Sequence, residues 1–295
     1  MTRISELLAR RTCFSVELWP PRTEAAQARL EQVLAELAPL DIAFTSITYG
    51  AGGSTRDRTH ELVVRILRSG TTTPMAHLTC AAHRRQELED ILARYRREGI
   101  ENILAIHGDP PLDSPEGLAE GELAHAIDLV RLAKQVGDFC VAVAAHPEGH
   151  PRSPDLASDR RHLAEKLAEA DFAITQFFFR VEDYLGMVDA LHALGVDKPV
   201  VPGIMPITNY RTVSRMAQMS GTKLPGPLAA RIEAVADRPE ELRRIGVEVA
   251  CELGAKLLAE GVPGLHVYTM NQAAATLEIY ANLGLGRPGR PAPPT

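Results

Sequence analysis

Residues 14–21 of the chain read FSVELWPP, a short apolar run that two prolines bring to an end. A run of this length bounded by proline predicts a buried strand. Glu17 lies inside that strand, where a carboxylate is costly unless a partner or a reaction makes use of it. The same arrangement, an apolar strand with a polar residue at its far end, recurs along the chain. This repetition predicts an enzyme built on a barrel of strands.

Eight segments have the character of strands, and most begin about thirty residues apart, the length of one strand–helix unit. They are Phe14–Leu18, Ile42–Tyr49, Pro74–Cys80, Asn102–Ile106, Cys140–Ala145, Phe172–Phe179, Pro199–Met205 and Gly264–Met270. Helical patterns fill the gaps, so the sequence predicts an α/β fold with a parallel sheet, closed as a (β/α)8 TIM barrel. The alternative is an open doubly wound sheet. It calls for a Gly-x-Gly-x-x-Gly turn after the first strand, where residues 19–22 read WPPR.

The pattern predicts a single catalytic barrel domain over residues 1–285. The stretch before the last strand is longer than one strand–helix unit, and extra helices are expected there. They are predicted around Val213–Met219, Pro227–Ala236 and Glu240–Ala259. Residues 286–295 are rich in glycine and proline and are predicted to be a disordered tail.

The composition narrows the class of protein. Of the 295 residues, 45% are hydrophobic and 24% are charged, which is typical of a soluble globular protein. The formal net charge of -6 without a basic stripe argues against a nucleic-acid partner. No apolar stretch is long enough to span a bilayer, and the first residues lack the apolar segment of a signal peptide. The four cysteines are scattered singly, which indicates reduced thiols in a cytoplasmic protein.

Every predicted strand ends at or beside a polar residue. Barrel active sites lie at the carboxyl ends of the strands, so these side chains are expected to converge. They are Glu17, Thr48, His77, Thr79, His107, Asp109, His146, Glu148, His150, Gln176, Asn209, Thr269 and Asn271. A single residue of this kind can be a helix cap or a turn former, but a ring of them predicts a binding site.

Two acids are the candidates for proton transfer. Glu17 is flanked by apolar side chains, and desolvation there raises a carboxyl pKa and suits it to general acid catalysis near neutral pH. The alternative is a buried ion pair between Glu17 and an arginine such as Arg22. Asp109 lies in the rigid turn GDPP (residues 108–111), where an aspartate can equally well bond its own backbone.

Metal and phosphate motifs are weak in this sequence. The stretch HPEGH at 146–150 contains proline and glycine, which deny the helical spacing that places two histidines on one metal ion. His77 and His107 on neighbouring strands leave open a metal-dependent barrel hydrolase, although no strand-end Asp or Lys completes that ligand set. The glycine-rich loop at 49–55 opens a helix but lacks the Gly-Lys-Ser/Thr ending of a P-loop.

Taken in order, the motifs resemble those of the methylenetetrahydrofolate reductase family. The resemblance covers nearly the whole chain. The chain is similar to the short bacterial form of the family, which consists of the catalytic barrel alone. The matching stretches are FSVELWPP (14–21) with Arg22, SITYGAGGSTRDRT (46–59), AHLTC (76–80), GDPP (108–111), HPEGHP (146–151), AITQFFF (173–179), PGIMP (202–206) and HVYTMN (266–271).

The resemblance implies a reaction and its cofactors. NADH or NADPH would reduce a bound FAD, and the flavin would then reduce 5,10-methylenetetrahydrofolate to 5-methyltetrahydrofolate with ping-pong kinetics. Glu17 matches the general acid of the family, and Asp109 matches the acid near the pterin. The residues implied to bind FAD are Thr48, His77, His107, Asp109, His146, His150, Asp159 and Lys166. Those implied to bind folate are Gln176, Tyr268 and Gln272. A homo-oligomer is also implied.

This chain departs from the family pattern around the expected cofactor. His107 stands where the family often has arginine, and His125 and His146 stand at positions that commonly carry aromatic residues. On the helix before Lys166, His162 and Glu165 replace common Asn and Arg residues. A weaker positive field for a pyrophosphate follows. The departures leave open a flavin-independent reductase that passes hydride directly from the nicotinamide to the folate. A non-catalytic folate or flavin binder is a further alternative, which the intact Glu17 disfavours.

Overall fold

The structure is a computed structural model that describes residues 2–50, 56–108 and 121–285. Within these ranges nine strand segments pair in parallel. The strands are β1 (Cys13–Leu18), β2 (Phe44–Ile47), β3 (Thr73–Thr79), β4 (Asn102–Ile106), β5 (Cys140–Ala145), β6 (Phe172–Thr175), β7 (Val200–Val201), β8 (Gly203–Ile204) and β9 (Gly264–Tyr268).

Helices separate most of the strands and pack on the outside of the sheet, as the sequence predicts for strand–helix units. The helices are α1 (Ile4–Arg10), α2 (Glu24–Leu37), α3 (Arg56–Ser69), α4 (Arg85–Arg97), α5 (Ala126–Val136), α6 (Leu156–Glu169), α7 (Val181–Ala193), α8 (Tyr210–Ser220), α9 (Gly226–Glu233), α10 (Pro239–Ala259) and α11 (Ala273–Asn282).

The sheet closes into a barrel because the seventh barrel strand is split in two. Its first half, β7, pairs with β6, and its second half, β8, pairs with β9. Pro202 lies between the halves and has no N–H to continue a ladder. The next N–H, that of Gly203, donates to the hydroxyl of Thr175 at 2.8 Å. Gly203 carries no side chain at a point where a Cβ would lie 2.6 Å from the ring of Tyr268.

The TIM-barrel fold predicted from sequence is therefore confirmed, with two kinds of correction to the strand bounds. The segments Asn102–Ile106 and Cys140–Ala145 match the observed strands residue for residue. The predicted strands Ile42–Tyr49, Phe172–Phe179 and Gly264–Met270 continue past the observed ends. The predicted strand Pro199–Met205 is interrupted at Pro202.

One end of the barrel is filled by apolar side chains. Alternate residues of each strand point inward, and those near the strand starts, including Phe44, Met75 and Phe172, form one buried cluster. Helix α1 closes this end by adding Ile4 and Leu8 to the cluster. The backbone N–H of Ile4 also donates to the side chain of Asn102, at 2.9 Å. Polar side chains from the strands are thus concentrated at the opposite, carboxyl end.

The three extra helices before the last strand, α8, α9 and α10, are present as predicted. They share a small apolar cluster with the loop after β8, in which Ile207 and Ile245 are buried. Gly246 makes this packing possible, since a Cβ there would lie 2.0 Å from the carbonyl oxygen of Ile207. The extra helices therefore pack beside the barrel mouth.

The part of the chain that the structure describes contains no helix long and apolar enough to cross a membrane. Its cysteines form no disulfide. Cys13, Cys80 and Cys140 are buried, and Cys251 is half-buried. Residues 286–295, predicted to be a disordered tail, lie outside the described residues.

Candidate active site

Glu17 lies at the mouth of the barrel, near the carboxyl end of β1. Its side chain is only 13% exposed, and Oε2 lies 3.8 Å from Nε2 of His77. The indole N–H of Trp19 donates to Oε1 at 3.2 Å. No arginine of the described ranges forms an ion pair with this carboxylate, so the alternative pairing with Arg22 is not seen. Burial raises the pKa of Glu17 to about 7, and the Trp19 hydrogen bond opposes part of that rise.

His77 presents an unsatisfied nitrogen to the same space. It points inward from β3, and burial lowers its pKa to about 3, so the ring is neutral. Nε2 of His77 and Oγ1 of Thr79 are both buried and have no hydrogen-bond partner in the described structure. Unsatisfied polar atoms at the mouth of a barrel are available to a polar ligand.

A second buried histidine, His266, lies deeper in the barrel, and its sequence context did not mark it as a site residue. Ring nitrogens of His266 lie 2.8 Å from Oγ of Ser15 and 3.2 Å from Oγ of Ser46. The ring of His266 stacks on Phe44 with centroids 5.7 Å apart. Burial holds its pKa at about 3. The sequence did contain a signal for this group, which is the alternation of side chains along a strand. Ser15, which bonds His266, lies two residues before Glu17 and therefore shares its inward face.

Tyr268 and Gln176 come from neighbouring parts of the rim. Tyr268 is the register partner of Glu17 across the β1–β9 pair. Its hydroxyl donates to the carbonyl of Thr175, while burial and the charge of Glu17 raise its pKa well above the ordinary value. Gln176 follows β6 directly, and its side-chain oxygen accepts from the N–H of Phe177 at 2.9 Å. The structure thus brings Glu17, His77 and Tyr268 together, and Gln176 follows Thr175, whose carbonyl bonds the Tyr268 hydroxyl.

A cleft of about 600 Å³ opens at the carboxyl ends of β4 and β5. Among the residues that line it are five predicted cofactor contacts, His107, His146, His150, Asp159 and Lys166. The rings of His146 and His150 meet edge to face with centroids 4.6 Å apart. Burial, with smaller effects from neighbouring charges, lowers the pKa of His146 to about 3. The Lys166 ammonium donates to the carbonyl of Ala144 at 2.7 Å, and burial lowers its pKa to about 8.

Asp159 has a structural task that the sequence did not reveal. Its carboxylate pairs with Arg160 at 2.7 Å, and the two side chains are 9% and 7% exposed. The same carboxylate accepts from the backbone N–H of His150 at 2.9 Å. Arg160 in turn donates to the carbonyls of His146 and Pro147. The pair therefore fixes the 146–150 loop that forms one wall of the cleft.

Neither Thr48 nor Gln272 lines the cleft, and the other remaining predicted contact residues lie outside the described ranges. Thr48 is half-buried just after β2, and its carbonyl accepts from the hydroxyl of Thr59 at 2.8 Å. Gln272 is exposed at the start of α11 and makes no side-chain capping bond. Asp109 and residues 51–55 of the glycine-rich loop lie outside the described residues.

The histidines do not gather into a metal site in the described part of the chain, where no group of three or more His, Cys, Asp or Glu side chains could hold one ion. Residues 146–150 form a turn with Gly149 at φ 91°, rather than a helix. The donor set therefore gives no support to a metal-dependent hydrolase.

Fold and site together define an α/β-barrel enzyme with a shielded acid at its mouth and a cleft beside it. Residues 2–284 match the family model described as methylenetetrahydrofolate reductase. The chain is 37% identical to 5,10-methylenetetrahydrofolate reductase of Escherichia coli (strain K12), over 93% of this chain and 91% of that protein. It is 38% identical to methylenetetrahydrofolate reductase (NADH) 1 of Arabidopsis thaliana, over 93% of this chain. The chain spans about half of that plant relative's length (48%).

The chain belongs to the methylenetetrahydrofolate reductase family, and the family predicted from sequence is confirmed. Among solved structures, the barrel is similar to a Clostridium thermocellum protein described as binding two copies of 5-methyl-5,6,7,8-tetrahydrofolic acid. The TM-score is 0.70 with 15% sequence identity, and the match covers 96% of each chain. At that identity the likeness confirms the barrel fold alone.

Proposed function

We propose that this chain reduces 5,10-methylenetetrahydrofolate to 5-methyltetrahydrofolate, with NADH or NADPH as the source of hydride. The observation that carries the proposal is Glu17. Its carboxyl group lies at the barrel mouth of this chain and is shielded from water, and burial raises its pKa to about 7. A binding protein has no use for such a group, whereas this reaction requires a proton donor near neutral pH.

Proton delivery is the step that the residues of this chain perform. The methylene carbon becomes an electrophile when the five-membered ring opens, which breaks a carbon–nitrogen bond. Glu17 donates its proton to the departing nitrogen, and the resulting iminium carbon accepts hydride to become the methyl group. The carboxylate then regains a proton from solvent, so one NAD(P)H and one proton are consumed per turnover. Neutral His77 beside Glu17 adds no positive charge that would favour the carboxylate.

We assign the orientation of the folate to side chains at the rim of the barrel mouth. An amide such as Gln176 can donate and accept toward the edge of a pterin. Tyr268 is the register partner of Glu17 across the β1–β9 strand pair, and we assign its side chain to the folate as well. Asp109 and Gln272 complete the proposed substrate contacts on the strength of the family resemblance.

The residues of the cleft suit FAD as the cofactor. FAD has a flat isoalloxazine ring and an anionic pyrophosphate, and the cleft offers the Lys166 ammonium, the Arg152 guanidinium and several imidazoles. The unsatisfied atoms of His77 and Thr79 lie at the mouth, where a ring edge could bond them. FAD held there would supply a hydride relay between the nicotinamide and the folate. We propose Thr48, His77, His107, Asp109, His146, His150 and Lys166 as its contacts, with Asp159 holding the cleft wall.

A second candidate is the same reduction without flavin, by direct hydride transfer from the nicotinamide. The observation that favours it is the charge of the cleft. His146 is held neutral by burial, and the acidic Glu165 lies beside Lys166 in the lining. A pyrophosphate is therefore attracted less strongly than it would be by arginines at these positions.

An assay of the purified protein tests the proposal and separates the two candidates. Incubation with 5,10-methylenetetrahydrofolate and NADH or NADPH is expected to give 5-methyltetrahydrofolate, one molecule per nicotinamide oxidised. An absorption spectrum with flavin bands and ping-pong kinetics would support FAD. A colourless protein that turns over without added FAD would support direct transfer. Absence of the methyl product under both conditions would overturn the proposed function.

Lys166→Met is expected to lower the amount of FAD retained on purification, because it removes a buried cation from the cleft. Flavin content per chain, measured from the absorption spectrum, is the readout. Lys256→Met is the matched control, since Lys256 is exposed on α10 away from the barrel mouth. If both variants retain as much flavin as the unmodified chain, Lys166 is not a flavin contact.

A further inference from the structure

Trp19 is the one tryptophan of the chain, and it lies beside the proposed general acid. It is 37% exposed, which is unusual for so large an apolar side chain. Its indole N–H donates to Oε1 of Glu17 at 3.2 Å. An indole has one N–H and no acceptor, so this contact uses its whole hydrogen-bonding capacity. The exposure of the ring is thus combined with a specific bond to the carboxyl group.

The loop after β9 holds Trp19 in this place. The side chain of Asn271 accepts from the backbone N–H of Trp19 at 2.8 Å and donates to the backbone carbonyl of Trp19 at 2.9 Å. Thr269 donates to the carbonyl of Glu17 at 2.7 Å. Met270 and Asn271 both have φ of 54°, a left-handed conformation that is costly for methionine. A strained loop therefore forms hydrogen bonds with the backbone of both Glu17 and Trp19.

We propose that Trp19 is a positioning residue for the proton transfer, and that its indole occupies Oε1 of Glu17 so that the transferable proton is carried on Oε2. This inference rests on the proposed function of Glu17 as general acid. An oxygen that accepts from an N–H is the poorer site for a proton, so the other oxygen carries it. Oε2 lies on the side of His77, whose Nε2 is unsatisfied. The indole thereby fixes which oxygen faces His77.

The indole hydrogen bond is the main interaction that opposes the rise in the pKa of Glu17 caused by burial. The titratable groups on the packed strands are His77 on β3, and Tyr268 and His266 on β9. Both histidines have a pKa of about 3 and the tyrosine a pKa well above its ordinary value, so all three are uncharged near neutral pH. Hydrogen bonding to a carboxylate favours its charged form. Loss of the indole N–H is therefore expected to make Glu17 harder to ionise.

The first test uses the fluorescence of the single tryptophan in the protein as purified, without substrate. Ionisation of a carboxyl group bonded to the indole is expected to change the emission, with a midpoint near pH 7. In Glu17→Gln the amide oxygen still accepts from the indole, but the charge change is gone, so the transition is expected to disappear. Emission that does not change through this pH range, or a transition that persists in Glu17→Gln, would overturn the proposal.

The second test is Trp19→Phe, which keeps an aromatic ring and removes the donor. The general acid works only while protonated, so the reduction rate falls as pH rises through the pKa of Glu17. Without the indole bond this fall is expected to move to higher pH, by roughly one unit. A merely structural role predicts the opposite shift, because a loosened mouth admits water and lowers the pKa of the acid. An unchanged or lowered midpoint in single-turnover folate reduction would therefore contradict the positioning role.

The two tests separate this inference from the proposed function. If the chain makes no 5-methyltetrahydrofolate, the function fails, yet the fluorescence titration still reports whether Trp19 senses Glu17. If the chain is active but neither the emission nor the pH profile responds as described, only the role of Trp19 fails.

Discussion

Glu17→Gln is expected to slow the reduction of 5,10-methylenetetrahydrofolate by roughly 10²–10⁴-fold, the usual contribution of a general acid. The glutamine keeps the size of the side chain and can still accept from Trp19, but it has no acidic proton to give. If the protein carries FAD, oxidation of NADH by an artificial acceptor needs no such proton and is expected to stay nearly unchanged. Rapid mixing of each half-reaction separately measures the two effects.

The matched control is Glu36→Gln, because Glu36 is exposed on α2, where it accepts from the side chain of Gln32. It is expected to leave both half-reactions unaltered. An equal loss of the two half-reactions in Glu17→Gln would show that Glu17 supports the barrel or the cofactor site and does not act as the acid.

The fold was largely predictable because the hydrophobic periodicity of the segments agrees with the positions of the polar, glycine and proline residues that bound them. Strands β4 and β5 are buried on both faces and bounded by polar residues, so their apolar runs coincide with their lengths. The errors arose where an apolar run continues beyond the ladder. Phe177 and Phe178 are buried like strand residues, yet they follow β6 and pack in the loop beyond it. Burial sets hydrophobicity, whereas the end of a strand depends on hydrogen bonds that the sequence does not display.

Two features of the fold could not be predicted from the sequence. Helix α1 is too short to give a clear periodic pattern, and its purpose is tertiary, since Ile4 and Leu8 fill the closed end of the barrel. The break at Pro202 depends on register, because the barrel closes only when the two halves of that strand pair with different neighbours.

The candidate site likewise contains residues that the sequence could identify and residues that it could not. Glu17 was identifiable because an acid within an apolar run is anomalous, and the structure gives it the shielded environment that this anomaly predicted. Trp19 and Asn271 could not be connected by any local rule, as 252 positions separate the residues that bond. Asp159 was assigned as a cofactor contact, whereas its bonds in the structure hold the 146–150 loop. The roles of the individual site residues stay predictions.

Arg160→Leu is expected to destabilise the fold by roughly 3–5 kcal/mol, the usual cost of breaking a buried ion pair from one side. The change leaves the Asp159 carboxylate buried without its cation, and it removes donors from the carbonyls of His146 and Pro147. Urea unfolding followed by circular dichroism measures the loss. Because the 146–150 loop is a wall of the cleft, any flavin that the protein carries is expected to be retained less well in this variant.

Arg161→Leu is the control, since Arg161 is the next residue on the same helix and is an exposed arginine that donates to the hydroxyl of Ser158. Its cost is expected to be within about 0.5 kcal/mol, as for most surface changes. Adding Asp159→Asn to Arg160→Leu is expected to recover part of the loss, because the unpaired buried charge is then removed. If Arg160→Leu costs no more than Arg161→Leu, the ion pair contributes little to the loop. In that case the cleft wall is held chiefly by the backbone bond from His150 and by apolar packing.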